Sequence, residues 1–130
     1  MIVLDAGVVV ALFSPGDAHH DRARQLLAEH PGPFFMHSLT VAETLVAAAR
    51  VGREEELWGA LRDLGVDVAL TPADEPLVLA RLRATHALKM PDTCVLAAAA
   101  HLRAPVATFD ARLGAVAEAM SLRFAVSPAG

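Results

Sequence analysis

Two hydrophobic periods take turns along the chain. Short apolar runs rich in β-branched residues alternate with longer stretches in which apolar positions return every three or four residues. The first run, Met1 to Leu4, reads as a buried strand that Asp5 ends. Residues 6–13 read as a short buried helix, stopped by Ser14-Pro15-Gly16. Asp17 stands where it would cap a second helix over 19–29, with Ala23, Leu26 and Leu27 facing inward. Beyond Pro31-Gly32-Pro33, residues 34–36 form a short strand. Ser38 then stands as the cap of a helix over 39–51, which Gly52 terminates. A cleaner amphipathic helix covers 53–64, with Leu57, Leu61 and Leu64 as its inner stripe and Trp58 on its flank. Residues 66–70 form a third strand. Thr71-Pro72 opens a helix that runs to about His86, with Asp74 at its third position and Leu77 and Leu82 among its contact positions. Pro91 starts a helix that ends near Arg103; residues 105–109 are a fourth strand, 111–120 a helix, 122–126 a last strand and 127–130 a tail.

Strands that alternate with helices predict an α/β fold: a three-layer sandwich around a central, mostly parallel sheet of four to five strands. The chain shows no repeat, linker or low-complexity stretch, so residues 1–130 read as one domain.

Composition narrows this picture. At 130 residues, 55% hydrophobic and 20% charged, the chain has enough apolar surface for a real core and is not of the disordered class. Its apolar runs are short or broken by charge and proline, so no membrane span is expected. No basic stretch precedes the first apolar run, which argues against a signal peptide. The single cysteine, Cys94, excludes an internal disulfide and a CxxC metal site, and fits a reducing, cytoplasmic setting. A net charge of −4 gives no overall attraction for nucleic acid. A polyanionic substrate would need local arginines or a bound cation.

Four carboxylates remain unexplained by the pattern. Asp5 lies in MIVLDAGVVVALF, Glu43 in LTVAETLVAAA, Asp92 in LKMPDTCVLAAAAHL, and Asp110 just after PVATF. A carboxylate in apolar surroundings takes a partner, shifts its pKa or holds a cation. Each aspartate also has a plainer explanation as the cap of the helix that follows it. Glu43, in mid-helix and ringed by apolar residues on the side shared with Leu39, Val46 and Ala47, does not. Asp5 and Asp110 follow the C-terminal ends of strands, the edge at which open α/β sheets bind ligands. Asp92 begins a helix, and the four are placed so that they can converge. Two like charges about 4 Å apart repel by roughly 4 kcal/mol at an effective dielectric of 20. Such a cluster must take up protons or bind a cation. Oxygen-only donors favour a hard ion such as Mg²⁺ or Mn²⁺, which commonly serves phosphoryl chemistry.

Other chemistry has less support. The six histidines, at 19, 20, 30, 37, 86 and 101, lack HxxxH and HExxH spacing and read as surface or lightly buried residues. Cys94 reads as a small core residue, and Glu54-Glu55-Glu56 as a solvated helix start. The arginines are helix-face residues by default. No GxxxxGK[ST] or GxGxxG stretch is present.

Four elements in order, IVLDAGVVVALF, SLTVAETL, KMPDTCVLAAAA and VATFDARL, make the whole chain resemble PIN-domain proteins of the small VapC type found in toxin–antitoxin pairs. The resemblance implies a compact α/β fold and a Mg²⁺- or Mn²⁺-dependent ribonuclease. It matches Asp5, Glu43, Asp92 and Asp110 to the family's acidic quartet. Asp5 and Asp92 would be the most direct metal ligands. Asp110 would complete the metal site, and Glu43 would bind through water or orient the attacking water. Thr108 matches a hydroxyl that can hydrogen-bond the last acid. The resemblance further implies homodimers and a partner antitoxin whose tail blocks the acidic pocket. Gly7 departs from the pattern: many relatives carry Ser, Thr or Asn there, and glycine offers no side-chain donor. Two other classes stand beside the nuclease. One is a catalytically weak PIN-like module that acts by binding RNA or a partner protein. The other is a receiver-like phosphoacceptor, whose late-strand lysine has no counterpart here, since Lys89 precedes a helix.

Overall fold

A computed structural model describes residues 1–125. In chain order the elements are β1 (Ile2–Leu4), α1 (Ala6–Leu12), α2 (His20–Glu29), β2 (Phe34–Met36), α3 (Ser38–Ala49), α4 (Glu54–Asp63), β3 (Val66–Val68), α5 (Glu75–His86), α6 (Met90–Leu102), β4 (Val106–Ala107) and α7 (Ala111–Ala119). The four strands are parallel, in the order β3-β2-β1-β4. Beyond β4 the expected last strand is reduced to a single parallel bridge between Val106 and Arg123. Val126, its expected end, lies outside the described residues.

The three layers follow from the period of β1. Ile2 and Leu4 point into one core with Val8, Ala23, Val41 and Leu61, from α1, α2, α3 and α4. Val3 points into the other, with Val95, Leu96, Val106 and Leu113. Alternate residues of a strand face opposite sides, so a strand covered by helices on both faces must be apolar throughout. That is why IVL carries no polar residue before Asp5.

Element ends differ from expectation where local hydrogen bonds decide them. Asp17 Oδ1 accepts from the His19 amide at 2.8 Å, but His19 holds the cap position of α2. His37 caps α3 in place of Ser38: its Nδ1 accepts from the Leu39 amide at 3.0 Å, and Ser38 is already helical. Helix α5 begins at Glu75, with Pro76 rather than Pro72 in its first turn. The third strand stops at Val68, and Leu70 is 83% exposed. Leu64 and Leu77, expected inside, lie outward. Trp58, expected on the flank, packs on the first core, and Leu82 packs on the second as expected. Chain reversal after α4 uses Gly65 at φ +85°, a backbone region that costs other residues about 1 kcal/mol or more.

Candidate active site

The sheet order places a topological switch point between β1 and β4. From β1 the chain moves to β2 and β3 on one side, then returns to add β4 on the other. At such a point the connections leave in opposite directions and open a crevice at the C-terminal strand ends. The register pairs Leu4 with Ala107, so the next residues of both strands, Asp5 and Thr108, meet at the mouth of this crevice. The receiver-like order 2-1-3-4-5 is not the one seen.

A run of hydrogen bonds ties the two loops together. The Thr108 hydroxyl donates to Asp5 Oδ2 at 2.7 Å, and Thr108 Oγ1 itself accepts from the Asp110 amide at 3.0 Å. The resemblance had pointed this hydroxyl at the Asp110 carboxylate. Instead Asp110 uses Oδ1 to cap α7, accepting from the Leu113 amide at 2.8 Å. Asp5 Oδ1 likewise caps α1 through the Ala6 amide at 2.8 Å. Capping and clustering are therefore not rival explanations for these two residues, since each carboxylate does both.

Asp92 sits in the first turn of α6, which opens with Met90 and Pro91. Burial pushes its carboxyl above the ordinary range. The charges of Asp5 and Asp110 push the same way, and Lys89 and Arg112 oppose them. The Asp5 carboxyl is also raised, first by burial and then by Asp110 and Glu43, while the bonds from Thr108 and Ala6 act against the rise. These mutual influences place three aspartates in one neighbourhood, with Glu43 in electrostatic reach of Asp5. Glu43 itself stands exposed on α3. Its neighbours Leu39 and Val46 are apolar but surface residues, so the expected apolar ring is a surface face and not a core.

Among the described residues, no three His, Cys, Asp or Glu side chains are gathered closely enough to hold a metal ion as they stand. Desolvation first, and then repulsion between like charges in a half-buried crevice, raises Asp5 and Asp92. The donor set is all oxygen, and only at Asp92 do the nearby cations Lys89 and Arg112 work against the rise. Its chemistry fits a hard divalent ion. A Cβ on Gly7 would lie 4.0 Å from Asp5 Oδ2, with nothing closer. The space for a side-chain donor exists there, and the donor does not.

Sequence reasoning missed two features at this edge. The ring of His37, buried at the end of β2, bridges its own helix start and Glu75 of α5, with Nε2 to Oε1 at 2.8 Å. Phe109, between Thr108 and Asp110, is stacked with His19, ring centroids 4.5 Å apart, and is overlaid by the Arg22 guanidinium at 5.0 Å. Both contacts join residues far apart in sequence, and no local pattern announces them.

Replacing Thr108 with valine would leave Asp5 Oδ2 and the Asp110 amide without their shared partner. The expected loss is ~1–3 kcal/mol. It would be read as a lower urea midpoint at unchanged slope; an unmoved midpoint would mean that the bridge carries no weight.

The sequence matches the PIN domain family over residues 2–119. No curated protein matches it significantly in sequence. Among solved structures, a toxin–antitoxin complex from Klebsiella pneumoniae is similar at 24% identity and TM-score 0.72, covering 85% of this chain and 87% of the other. VapC20 of Mycobacterium tuberculosis, described as a Sarcin-Ricin loop cleaving toxin, is similar at 22% identity and TM-score 0.72, covering 89% and 95%. A Pyrobaculum aerophilum protein is more distant, at 23% identity and TM-score 0.53, covering 88% and 82%.

Proposed function

The chain belongs to the PIN-domain family, and on that premise we propose that it is a divalent-metal-dependent endoribonuclease, the toxin of a toxin–antitoxin pair. The observation that carries the reading is the junction at the switch point. There the Asp5 carboxylate and the Asp110 loop share one hydroxyl, and Asp92 feels the charge of both.

In this reading Asp5 and Asp92 hold Mg²⁺ or Mn²⁺ directly, and Asp110 completes the site. When bound, the cation makes a water more acidic and offsets charge on the phosphate. Glu43, exposed on α3, is the group free to orient the attacking water and take its proton. Thr108 and the α1 amide fix the Asp5 carboxylate, so its oxygens are aimed before the substrate arrives. The substrate is RNA cut at an internal phosphodiester. The partners are a cognate antitoxin, whose tail fills the acidic pocket, and a second copy of the chain. The names of the Klebsiella and Mycobacterium neighbours support both the pairing and the RNA. No helix among the described residues is long and apolar enough to cross a membrane, and we place the protein in the cytoplasm.

Gly7 favours a second reading, a catalytically weak module that works by binding. The deciding experiment is RNA cleavage by antitoxin-free protein with Mg²⁺, with Mn²⁺ and with EDTA. Cutting that needs the metal supports the nuclease; tight binding of RNA or partner with no cutting at any metal level supports the module.

A further inference from the structure

A second feature shares the crevice with the acids. A cleft of about 460 Å³ opens beside them, lined by Arg22, Thr108, Glu118, Ser121, Arg123 and Phe124. We propose that this cleft seats a backbone phosphate of the RNA strand next to the one being cut, with Arg22 and Arg123 as its cationic walls. The proposal rests on the nuclease reading and adds to it the residues that grip the substrate.

Continuity is the first argument. Thr108 lines the cleft and also forms the bridge between Asp5 and the Asp110 loop. The cleft and the acidic centre therefore share Thr108 as a common wall.

Preorganisation is the second. The Arg22 guanidinium lies over the ring of Phe109, the residue between Thr108 and Asp110. A further contact joins Arg22 Nη1 to His19 Nδ1 at 3.4 Å, and the His19 ring is stacked on that same phenylalanine. Arg22 is thus tied to the loop that carries the acid. Arg123 reaches the cleft because its backbone bridges to Val106 of β4. Its guanidinium lies against Gly114 of α7, where an added Cβ would come within 3.3 to 3.4 Å of three guanidinium atoms. Glycine is a poor residue inside a helix, and here it leaves the room that this arginine occupies. Both guanidinium groups are held in place before any ligand binds, which reduces the ordering that binding requires.

Chemistry is the third. Planar guanidinium groups match phosphate oxygens in paired hydrogen bonds, and the Ser121 hydroxyl adds a donor. The chain is acidic overall, so it attracts RNA only where cations are gathered locally. Among the described residues that line the cleft are two arginines and the carboxylate of Glu118, which holds Arg123 at 3.2 Å. That carboxylate competes with phosphate for Arg123, so its removal strengthens binding.

The test uses Asp5→Asn, which keeps the cleft and removes cutting, with a labelled single-stranded oligoribonucleotide and fluorescence anisotropy. Adding Arg22→Gln or Arg123→Gln is expected to weaken binding roughly tenfold. Each should also lower the slope of log affinity against log salt by about 0.7. Arg22→Lys keeps the charge and should retain the slope, and Glu118→Gln should tighten binding. Thermal melts of each variant guard against unfolding. Unchanged affinity and slope in both glutamine variants would overturn the cleft assignment while leaving the nuclease reading standing. So would loss of affinity for an acidic peptide with RNA binding intact. If the parent protein cuts no RNA with Mg²⁺ or Mn²⁺, the nuclease reading falls on its own account.

Discussion

Replacing Asp5 with asparagine is expected to lower RNA cleavage at least ~100-fold while leaving the melting temperature of the metal-free protein unchanged or higher. Asparagine keeps the shape of the side chain. Its oxygen can still accept from the Ala6 amide, and its amide group can donate to the Thr108 hydroxyl oxygen. What disappears is one negative charge from a crevice that already disfavours it, through burial first and then through Asp110 and Glu43. Folding loses a repulsion, and cation binding loses a ligand. The measurement is cleavage of RNA by antitoxin-free protein with Mg²⁺, Mn²⁺ or EDTA, paired with a thermal melt in EDTA. Cutting by Asp5→Asn at the parental rate would remove Asp5 from the machinery and expose a contaminating nuclease. A large fall in melting temperature would mean that the carboxylate serves folding rather than catalysis.

The acids were visible in the sequence because they break its hydrophobic pattern. Asp5 and Asp110 interrupt apolar runs at strand ends, and strand ends in a parallel sheet share one edge. The alternation of strands and helices carried the layers, since strands with two covered faces must be apolar throughout. Errors gathered where a single long-range contact outweighs local propensity. Ser38 looks like a helix cap and His37 does not, yet His37 is pinned by Glu75, thirty-eight residues on, and its ring nitrogen takes the cap. Leu64 and Leu77 fit helical stripes, but their helices turn other faces to the core. Glu43 illustrates a different gap. Apolar neighbours in sequence signal burial only when the face they share is covered, and on α3 the face of Leu39 and Val46 is open. The cleft of Arg22 and Arg123 was beyond reach for the same reason: its two arginines meet only after β4 has been added beside β1.

At neutral pH a divalent cation at about a hundred times its dissociation constant is expected to raise the melting temperature of the parent protein by roughly 10 °C, and EDTA to reverse the rise. A ligand of the folded state at that excess stabilises by ~2.7 kcal/mol. In a chain of this size each kcal/mol is worth about 4 °C. The pH dependence follows from the same groups. Asp5 and Asp92 have carboxyls raised above the ordinary value in the folded protein, both chiefly by burial. A raised carboxyl binds its proton more tightly when folded than when unfolded. The stability it contributes is therefore fully present below the ordinary carboxylate pKa of about 4, and is lost as pH rises through the raised folded value. Above that folded value each acid is charged against its surroundings, and a cation relieves what a proton relieves at low pH. Protons and cation compete for the same oxygens, so the cation's effect should shrink steadily as pH falls towards about 4. Asp5→Asn should melt closer to its parent at pH 4 than at pH 7 when both are free of metal, and neither Asp5→Asn nor Asp92→Asn should show the full rise with Mg²⁺. An equal rise in those variants, or one indifferent to pH, would place the cation away from these acids and leave Asp5 as the cap of α1 and Asp92 as a first-turn residue of α6.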